Sequence, residues 1–574
     1  MRRSAGIAFG IALLLVVAAP AGAAGRVTPA AAPFAEAWAN VPASSAVRKA
    51  RNIVVYGVPV GRRPFAVGVE ALGSGTDAIR GAFDFEGVWV KQVVTDAKAT
   101  ATSLSYTISP KAFWYWGGRK VPVTYRDFVY TLQQIDGQSG NPPGAGMGNL
   151  DPTRYTHEGD KQVRFFWRTS GCSPDFPCGP FANWQSLFQD LYPSFALTGV
   201  DLAKLWTTCI CGYDGKPVGD GPFYLAAFTP GEGSVMKANP FWGGRRSGVA
   251  ELVFKTFSDP TSLVEAMRLG EIDATYSSGS PSLVTALVSL SGTPGIGVAI
   301  RVATGGLEHL EFREGDAAGA PGMSKGASNP LLRAPWMRQA MALAIDRRAL
   351  IASAYGPLPV AVGASDSLLF AQGDAGYRPD FSRWDYDPRR ALAILKGHCS
   401  PGSGPSAPDP ASTKIWKCAG LPAIFRWTWT ADNDARTAIE QIAKGELRSI
   451  GIALVESPLA GNVIFTPNGL FSGDFDLAEF AVFVTDPGEW TEQYRCNGLA
   501  NYTGFCSAKV DALLKAGNSD LDPVRRIGDY QAAERILSED VPAFPLFRPL
   551  AAFAHRSDLL GTLAEGAEYW HWRR

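Results

Sequence analysis

Glu251-Leu-Val-Phe-Lys-Thr-Phe257 is an apolar run of strand length, rich in aromatic and β-branched residues. Asp259 follows as a helix cap, with Pro260 at the first helical position, where a missing N–H costs nothing. Leu263, Val264 and Met267 then recur at helical spacing, and Gly270 supplies a stop. Ile272 to Tyr276 reads as the next strand. Strand, helix, strand in this order predicts a βαβ unit, and so a parallel pair joined by a right-handed crossover.

The same grammar returns far along the chain. Ile424 to Trp429 reads as a strand, Ala435 to Ile450 as a helix with Ile439, Ile442 and Ile450 inward, and Ile452 to Val455, after Gly451, as a second strand. Asp387-Pro388 and Asp522-Pro523 start two further helices, the second running to about Ser538. Asn52 to Val58 is an opening strand. Thr124-Tyr-Arg-Asp127 begins a helix whose buried face is Phe128, Val129, Leu132 and Ile135. Two distant βαβ regions in one chain predict two α/β lobes. Gly315 to Pro330 and the segment between Cys399 and Cys418 are long loops.

Bulk composition narrows the class. The chain has 574 residues, is 46% apolar and 19% charged, and balances 54 basic against 54 acidic residues. That is globular composition for more than one core, without the basic surplus of a nucleic-acid binder. Arg2 and Arg3 precede an apolar run, Ile7 to Val17, and the small residues Ala21-Gly-Ala-Ala24. Residues 1–24 therefore read as a secretory signal peptide, with a retained membrane anchor as the alternative. No lipobox cysteine is seen at the cleavage site, so the mature chain is expected to be secreted, periplasmic or associated with the cell surface.

Eight cysteines in an exported chain suggest disulfides. Cys172 with Cys178, Cys399 with Cys418, and Cys496 with Cys506 are local pairs, leaving Cys209 and Cys211. Cys178–Cys209 and Cys172–Cys211 stay open as alternatives. There is no Cys-x-x-Cys, and the five histidines are scattered, so no metal or other cofactor is expected.

Several segments resemble, in order, the landmarks of the extracytoplasmic solute-binding proteins of the oligopeptide, dipeptide and nickel import type, solute-binding family 5. They are Val121-Pro-Val-Thr-Tyr-Arg-Asp-Phe-Val-Tyr-Thr-Leu132, Gly219-Asp-Gly-Pro-Phe-Tyr224, Lys237-Ala-Asn-Pro-Phe-Trp242, Gly270-Glu-Ile-Asp273, Met337-Arg-Gln-Ala-Met-Ala-Leu-Ala-Ile-Asp-Arg347, Tyr386-Asp-Pro-Arg-Arg-Ala391 and Asp540-Val-Pro-Ala-Phe-Pro-Leu546. The resemblance implies an α/β, two-lobed periplasmic-binding-protein fold of type II (cluster C) with an extra small domain. Lobe I would take residues 46–72, 211–303 and 540–574, the small domain 73–210, and lobe II 304–539. It also implies a monomer that encloses a small ligand between its lobes, an oligopeptide by family default, and hands it to an ABC permease.

Ligands of α/β sheets sit outside the carboxyl ends of the strands. Trp427 and Trp429 end one strand before the loop Thr430 to Asn433, two apart and so pointing the same way. Tyr56 and Arg62 follow the opening strand. In Phe475-Asp-Leu-Ala-Glu-Phe-Ala-Val-Phe-Val-Thr-Asp-Pro-Gly-Glu-Trp490, peptide-binding relatives carry an acid four positions before the proline, and that acid pairs with the peptide amine. Phe483 stands there in this chain, while Asp486 is kept. Either Asp486 or Glu479 takes the acid's place, or the ligand lacks a free ammonium and meets a wall of Phe483 and Trp490.

Two enzyme classes fit the sequence poorly. Gly322-Met-Ser-Lys-Gly326 spells the pattern of a serine-hydrolase elbow, but lies in a loop without the strand and helix such an elbow needs. A glycosidase-like secreted hydrolase would need a carboxylate pair that nothing singles out. The reading is a binding protein and not an enzyme, with a ligand sensor or scaffold on the same fold as a further alternative.

Overall fold

The computed structural model describes residues 34–59, 93–135, 146–188, 191–199, 218–229, 232–315, 319–323, 329–561 and 572–573, apart from positions 174–175, 245, 258, 279, 304, 357, 359, 432, 462 and 485. The signal segment 1–24, Arg62, Cys209, Cys211 and Ser324 lie outside the described residues. The chain forms two compact units. One takes the described residues up to Ser277, Ala286–Ala299 and those from Ala552 on; the other takes Ser278–Thr285 and Ile300–Ala551.

In the first unit, β1 (Ile53–Pro59), β2 (Glu251–Phe257), helix α1 (Pro260–Leu269) and β3 (Ala274–Ser278) realise the predicted unit. The Asp259 carboxylate accepts the backbone N–H of Ser262 at 2.8 Å, and Gly270 closes the helix at φ +73°. β2 and β3 are parallel but not neighbours, which corrects the expected pair. β1 lies between them, with Ile53 opposite Glu251 and Tyr56 opposite Ala274. The helix connection is long enough to span one strand, and the apolar opening strand fills that slot. These strands belong to a seven-stranded sheet in the order Ile296–Val302, Leu550–Arg556, β3, β1, β2, Gly233–Ala238, Phe223–Thr229.

A separate four-stranded sheet, Val94–Ala99, Ser103–Ile108, Gln162–Trp167 and Leu150–Glu158, packs with helix Tyr125–Ile135. That helix starts as its sequence predicts: Asp127 accepts the N–H of Thr124 at 2.8 Å, and Phe128 and Leu132 are fully buried.

The second unit is built on a five-stranded sheet. Its strands are β4 (Gly306–Phe312), β5 (Ile424–Trp429), β6 (Ala453–Glu456), β7 (Leu477–Phe483) and β8 (Ala543–Phe547). Helix α2 (Pro335–Ala344) precedes β5, α3 (Asp434–Ser449) links β5 to β6, and α4 (Ala508–Ser519) and α5 (Pro523–Asp540) precede β8. The order is β6-β5-β7-β4-β8. β5 runs parallel to β6 and β7, whereas β4 is antiparallel to β7 and β8. Here the βαβ prediction holds directly, since β5 and β6 are neighbours joined by α3.

Cys172–Cys178, Cys399–Cys418 and Cys496–Cys506 are disulfide-bonded. The loop closed by Cys399–Cys418 is more than a tethered coil. Trp416 is 2% exposed, donates its indole N–H to the Ile450 carbonyl at 2.7 Å, and lies against Gly404 and Gly451. Replacing both cysteines by serine is expected to lower the stability of this unit by about 3 kcal/mol, the chain entropy of closing a loop of this size. A denaturant titration checks this; a loss under about 1 kcal/mol would mean that Trp416 packing holds the loop unaided.

A candidate ligand edge on the second unit

Residues opposed across a sheet share a face, so the register of the second unit sorts its side chains into two sets. Trp429 lies opposite Glu479, Trp427 opposite Leu477, and Glu308 opposite Ala481. Trp427, Trp429, Glu479 and Glu308 therefore share one face, and α3 covers it. The Trp429 indole N–H reaches Thr437 Oγ1 at 3.1 Å, and Arg436 reaches Glu308. The two tryptophans point the same way, as their spacing predicts, and they point under the helix. They are 0% and 3% exposed.

That covered face holds a charge cluster. Arg436 donates from Nε and Nη2 to the two Glu308 oxygens at 2.8 and 3.2 Å, and from Nη1 to Thr430 Oγ1 at 2.8 Å. Glu479 and Glu440 are fully buried beside this pair. Neither Glu479 oxygen receives a well-formed hydrogen bond among the described residues. Burial pushes the Glu479 carboxyl well above the usual carboxylate range, and the Glu308 charge pushes it further. The Arg436 charge and the nearby Trp427 indole oppose this. Burial, with the charge of Glu456, carries Glu440 up to about 7. A deeply covered Glu479 is not placed to meet a ligand at the surface.

On the opposite face, Trp490 is 0% exposed, edge-on to His309 at 5.7 Å and stacked with Tyr494 at 5.8 Å. It is core. Phe483, at the carboxyl end of β7, lies by register on the same face as Glu479 and Glu308, but is 55% exposed. It sits opposite Gly306, where an added Cβ would lie 2.9 Å from the Phe483 ring and 2.8 Å from Pro549. Glycine at 306 leaves the ring the room it occupies beside the strand end. Asp486 caps the 3-10 turn Pro487–Trp490, accepting the Gly488 N–H at 2.8 Å, and is paired with Arg526. In the other unit, Tyr56 is 9% exposed between Phe254 and Trp572, with ring centroids at 5.4 and 6.2 Å.

Of the expected site residues in the second unit, Phe483 alone presents an open surface. Trp427, Trp429 and Trp490 are packed inside, and Asp486 is engaged. Sequence reasoning missed the Glu308–Arg436 pair and the Arg526 partner of Asp486. One signal was available for the first. Arg436 stands in the opening turn of a helix capped by Asn433, where the macrodipole disfavours a cation unless a carboxylate compensates. Among the described residues no group of three or more His, Cys, Asp or Glu is placed to hold a metal ion, and no helix is long and apolar enough to cross a membrane.

This two-unit α/β architecture is that of a periplasmic binding protein. It is similar to the solved structure of a periplasmic EDTA-binding protein, EppA, with a TM-score of 0.74 at 18% identity over 91% of this chain and 96% of that one. It is also similar to NikA from Brucella suis in complex with Fe(III)-EDTA, with a TM-score of 0.68 at 16% identity over 91% and 99%. In sequence, the family "Bacterial extracellular solute-binding proteins, family 5 Middle" matches residues 94–498, well over half of the chain. The chain belongs to the family 5 bacterial extracellular solute-binding proteins. Relatives include the peptide transport periplasmic protein SapA of Salmonella typhimurium, 22% identical over 61% of this chain and 57% of that protein. Another is di/tripeptide-binding protein 2 of Pseudomonas aeruginosa, 24% identical over 60% and 59%. The chain thus aligns with 57–59% of the length of these curated relatives. Family and relatives are transport binding proteins, and these relatives act in the periplasm or bind peptides by name.

Proposed function

We propose that this chain is the exported solute-binding component of an ABC importer, a monomer that holds a small peptide-like ligand and delivers it unchanged to a membrane permease. Residues 1–24 act as its signal peptide. The observation that carries the reading is the exposed Phe483 ring at the carboxyl end of a parallel strand in a family 5 fold. An aromatic wall with few polar contacts suits an enclosed small-molecule site. The carboxylates around it are committed, Glu308 to Arg436 and Asp486 to Arg526, and Glu479 is covered. That favours a ligand whose part at this edge is apolar or ring-bearing and offers no free ammonium.

Calorimetry with a pool of free-amine tripeptides and the same pool N-acetylated tests this. The acetylated pool is expected to bind at least as well. Phe483→Ala is expected to weaken binding about 10-fold, as loss of a half-buried aromatic contact worth ~1.5 kcal/mol would. Tight binding confined to free amines and abolished by Asp486→Ala would refute the amine-free version. Recovery of cleaved peptide would make the chain a hydrolase instead.

A further inference from the structure

The turn that follows Phe483 is tied down from two sides. Val484 donates its N–H to the Gly305 carbonyl at 2.7 Å, which holds the strand end. Beyond it, Arg526 Nη2 donates to both Asp486 oxygens, at 2.5 and 2.7 Å, and its Nε reaches the Gly517 carbonyl at 3.3 Å. Asp486 and Arg526 are 13% and 19% exposed, so the pair is largely shielded from water. The guanidinium also lies over the Tyr530 ring, 5.3 Å from its centroid.

Gly488 sits where a Cβ would collide with Asn518 Oδ1 and lie 2.7 Å from the Tyr530 hydroxyl. That hydroxyl donates to Asn518 Oδ1 at 2.7 Å, and Asn518 Nδ2 donates to Thr491 Oγ1 at 2.7 Å. The turn is thus clasped by Gly517 and Asn518 of α4 and by Arg526 and Tyr530 of α5.

From this geometry we infer that Asp486 is a positioning residue: its carboxylate locks the turn at the carboxyl end of β7 onto Arg526, and does not itself meet the ligand. The part about the ligand rests on the reading that this edge is the binding edge. The chemistry argues against a double role. A ligand ammonium could recruit Asp486 only by displacing Arg526, which would leave a shielded guanidinium without its carboxylate. Moreover, Asp486 spends one oxygen on the Gly488 N–H as a cap, so turning it outward would also uncap the turn.

The test compares wild-type full-length chain with Asp486→Asn, Arg526→Gln and the double variant. Asparagine keeps the cap but loses the ion pair. In the unliganded protein, backbone amide hydrogen exchange across Gly488–Tyr494 is expected to speed up about 10-fold in each single variant. The double variant should be no faster, because both changes break one interaction. Unchanged exchange in Asp486→Asn overturns the clamp. In calorimetry with trialanine as probe, Asp486→Asn is expected to weaken binding in the wild-type background and to add nothing in the Arg526→Gln background. Equal losses in both backgrounds would put Asp486 on the ligand and overturn the proposal. If trialanine does not bind the wild type, free-amine peptides are not its ligands, in keeping with the amine-free reading, and the exchange measurement still decides the clamp.

Discussion

Arg338→Met is expected to destabilise the second unit by about 3–5 kcal/mol, the cost of removing one partner from a buried ion pair. Arg338, on α2, is 0% exposed. Its guanidinium serves the carboxyl end of another helix. Nε reaches the carbonyls of Asp540 and Val541 at 3.2 and 3.0 Å; Nη2 reaches the Asp540 carbonyl at 2.8 Å and also pairs with the Asp540 carboxylate. Nη1 donates to the Leu332 carbonyl, and Glu314 lies 3.3 Å from Nη2. The last carbonyls of a helix lack partners within it and carry the negative end of its dipole. Helix α5 leaves through Val541, fully buried at φ +60°, a left-handed position that turns the chain straight into β8, so Arg338 is the donor these last carbonyls meet. Methionine matches the arginine stem in size but leaves several acceptors, the Asp540 carboxylate among them, without a donor, and takes from Glu314 its neighbouring positive charge. Burial and the nearby Asp540 already push the Glu314 carboxyl well up, and the Arg338 charge is what opposes them. Urea unfolding followed by circular dichroism measures the effect as a lowered midpoint. A change below about 1 kcal/mol would mean that water or a neighbouring side chain takes over these carbonyls.

Local chemistry was legible in the sequence and tertiary cover was not. Asp259, Asp387 and Asp522, each before a proline, cap their helices at 2.8, 2.9 and 2.9 Å, because capping is decided within three residues. The strand–helix–strand succession and the parallel direction of its strands were legible too. Insertion of β1 between β2 and β3 was not, since strand order depends on a segment almost 200 residues away. Period-2 spacing gives Trp427 and Trp429 a common direction but cannot say which face a helix covers. Arg436 and Thr437 of α3 answer that. Phe483 and Trp490 look alike as aromatic residues near a turn, yet one is 55% and the other 0% exposed. Trp490 faces the His309 side, where β4 and the 3-10 turn close over it. A formal net charge of zero conceals that three buried carboxylates, Glu308, Glu440 and Glu479, gather around Arg436.

That cluster makes stability depend on pH, and raising the pH from 5 to 8 is expected to destabilise the second unit by several kcal/mol. The sign follows from proton counts. Glu479 is held well above the usual carboxylate range, chiefly by burial. Burial also carries Glu440 to about 7, and Glu534 to about 7 despite the hydrogen bonds it accepts from Ser367, Leu369 and Leu368. Each folded-state value lies above that of an unfolded glutamate, so between the two values the native chain binds more protons. Stability is then full below the unfolded value and is lost as pH rises through the folded one. A buried carboxyl moved from about 4.5 to about 7 forfeits about 3 kcal/mol once pH exceeds both. The groups facing Glu479 are Glu308 on β4, Trp427 on β5, and Arg436 and Glu440 on α3; only Arg436 among them carries positive charge. Glu479→Gln keeps the volume and removes the titration. It is expected to leave stability at pH 5 nearly unchanged and to raise it by about 1–3 kcal/mol at pH 8, where the wild type, on folding, must either take up a proton or hold a carboxylate beside Glu308. Arg436→Met should do the opposite and steepen the loss with pH, because it removes the one cation that shields the group. Thermal unfolding at half-unit steps of pH measures all three proteins. Parallel slopes for wild type and Glu479→Gln would show that Glu479 titrates alike in the folded and unfolded chain, and that the cluster draws its protons from Glu440 instead.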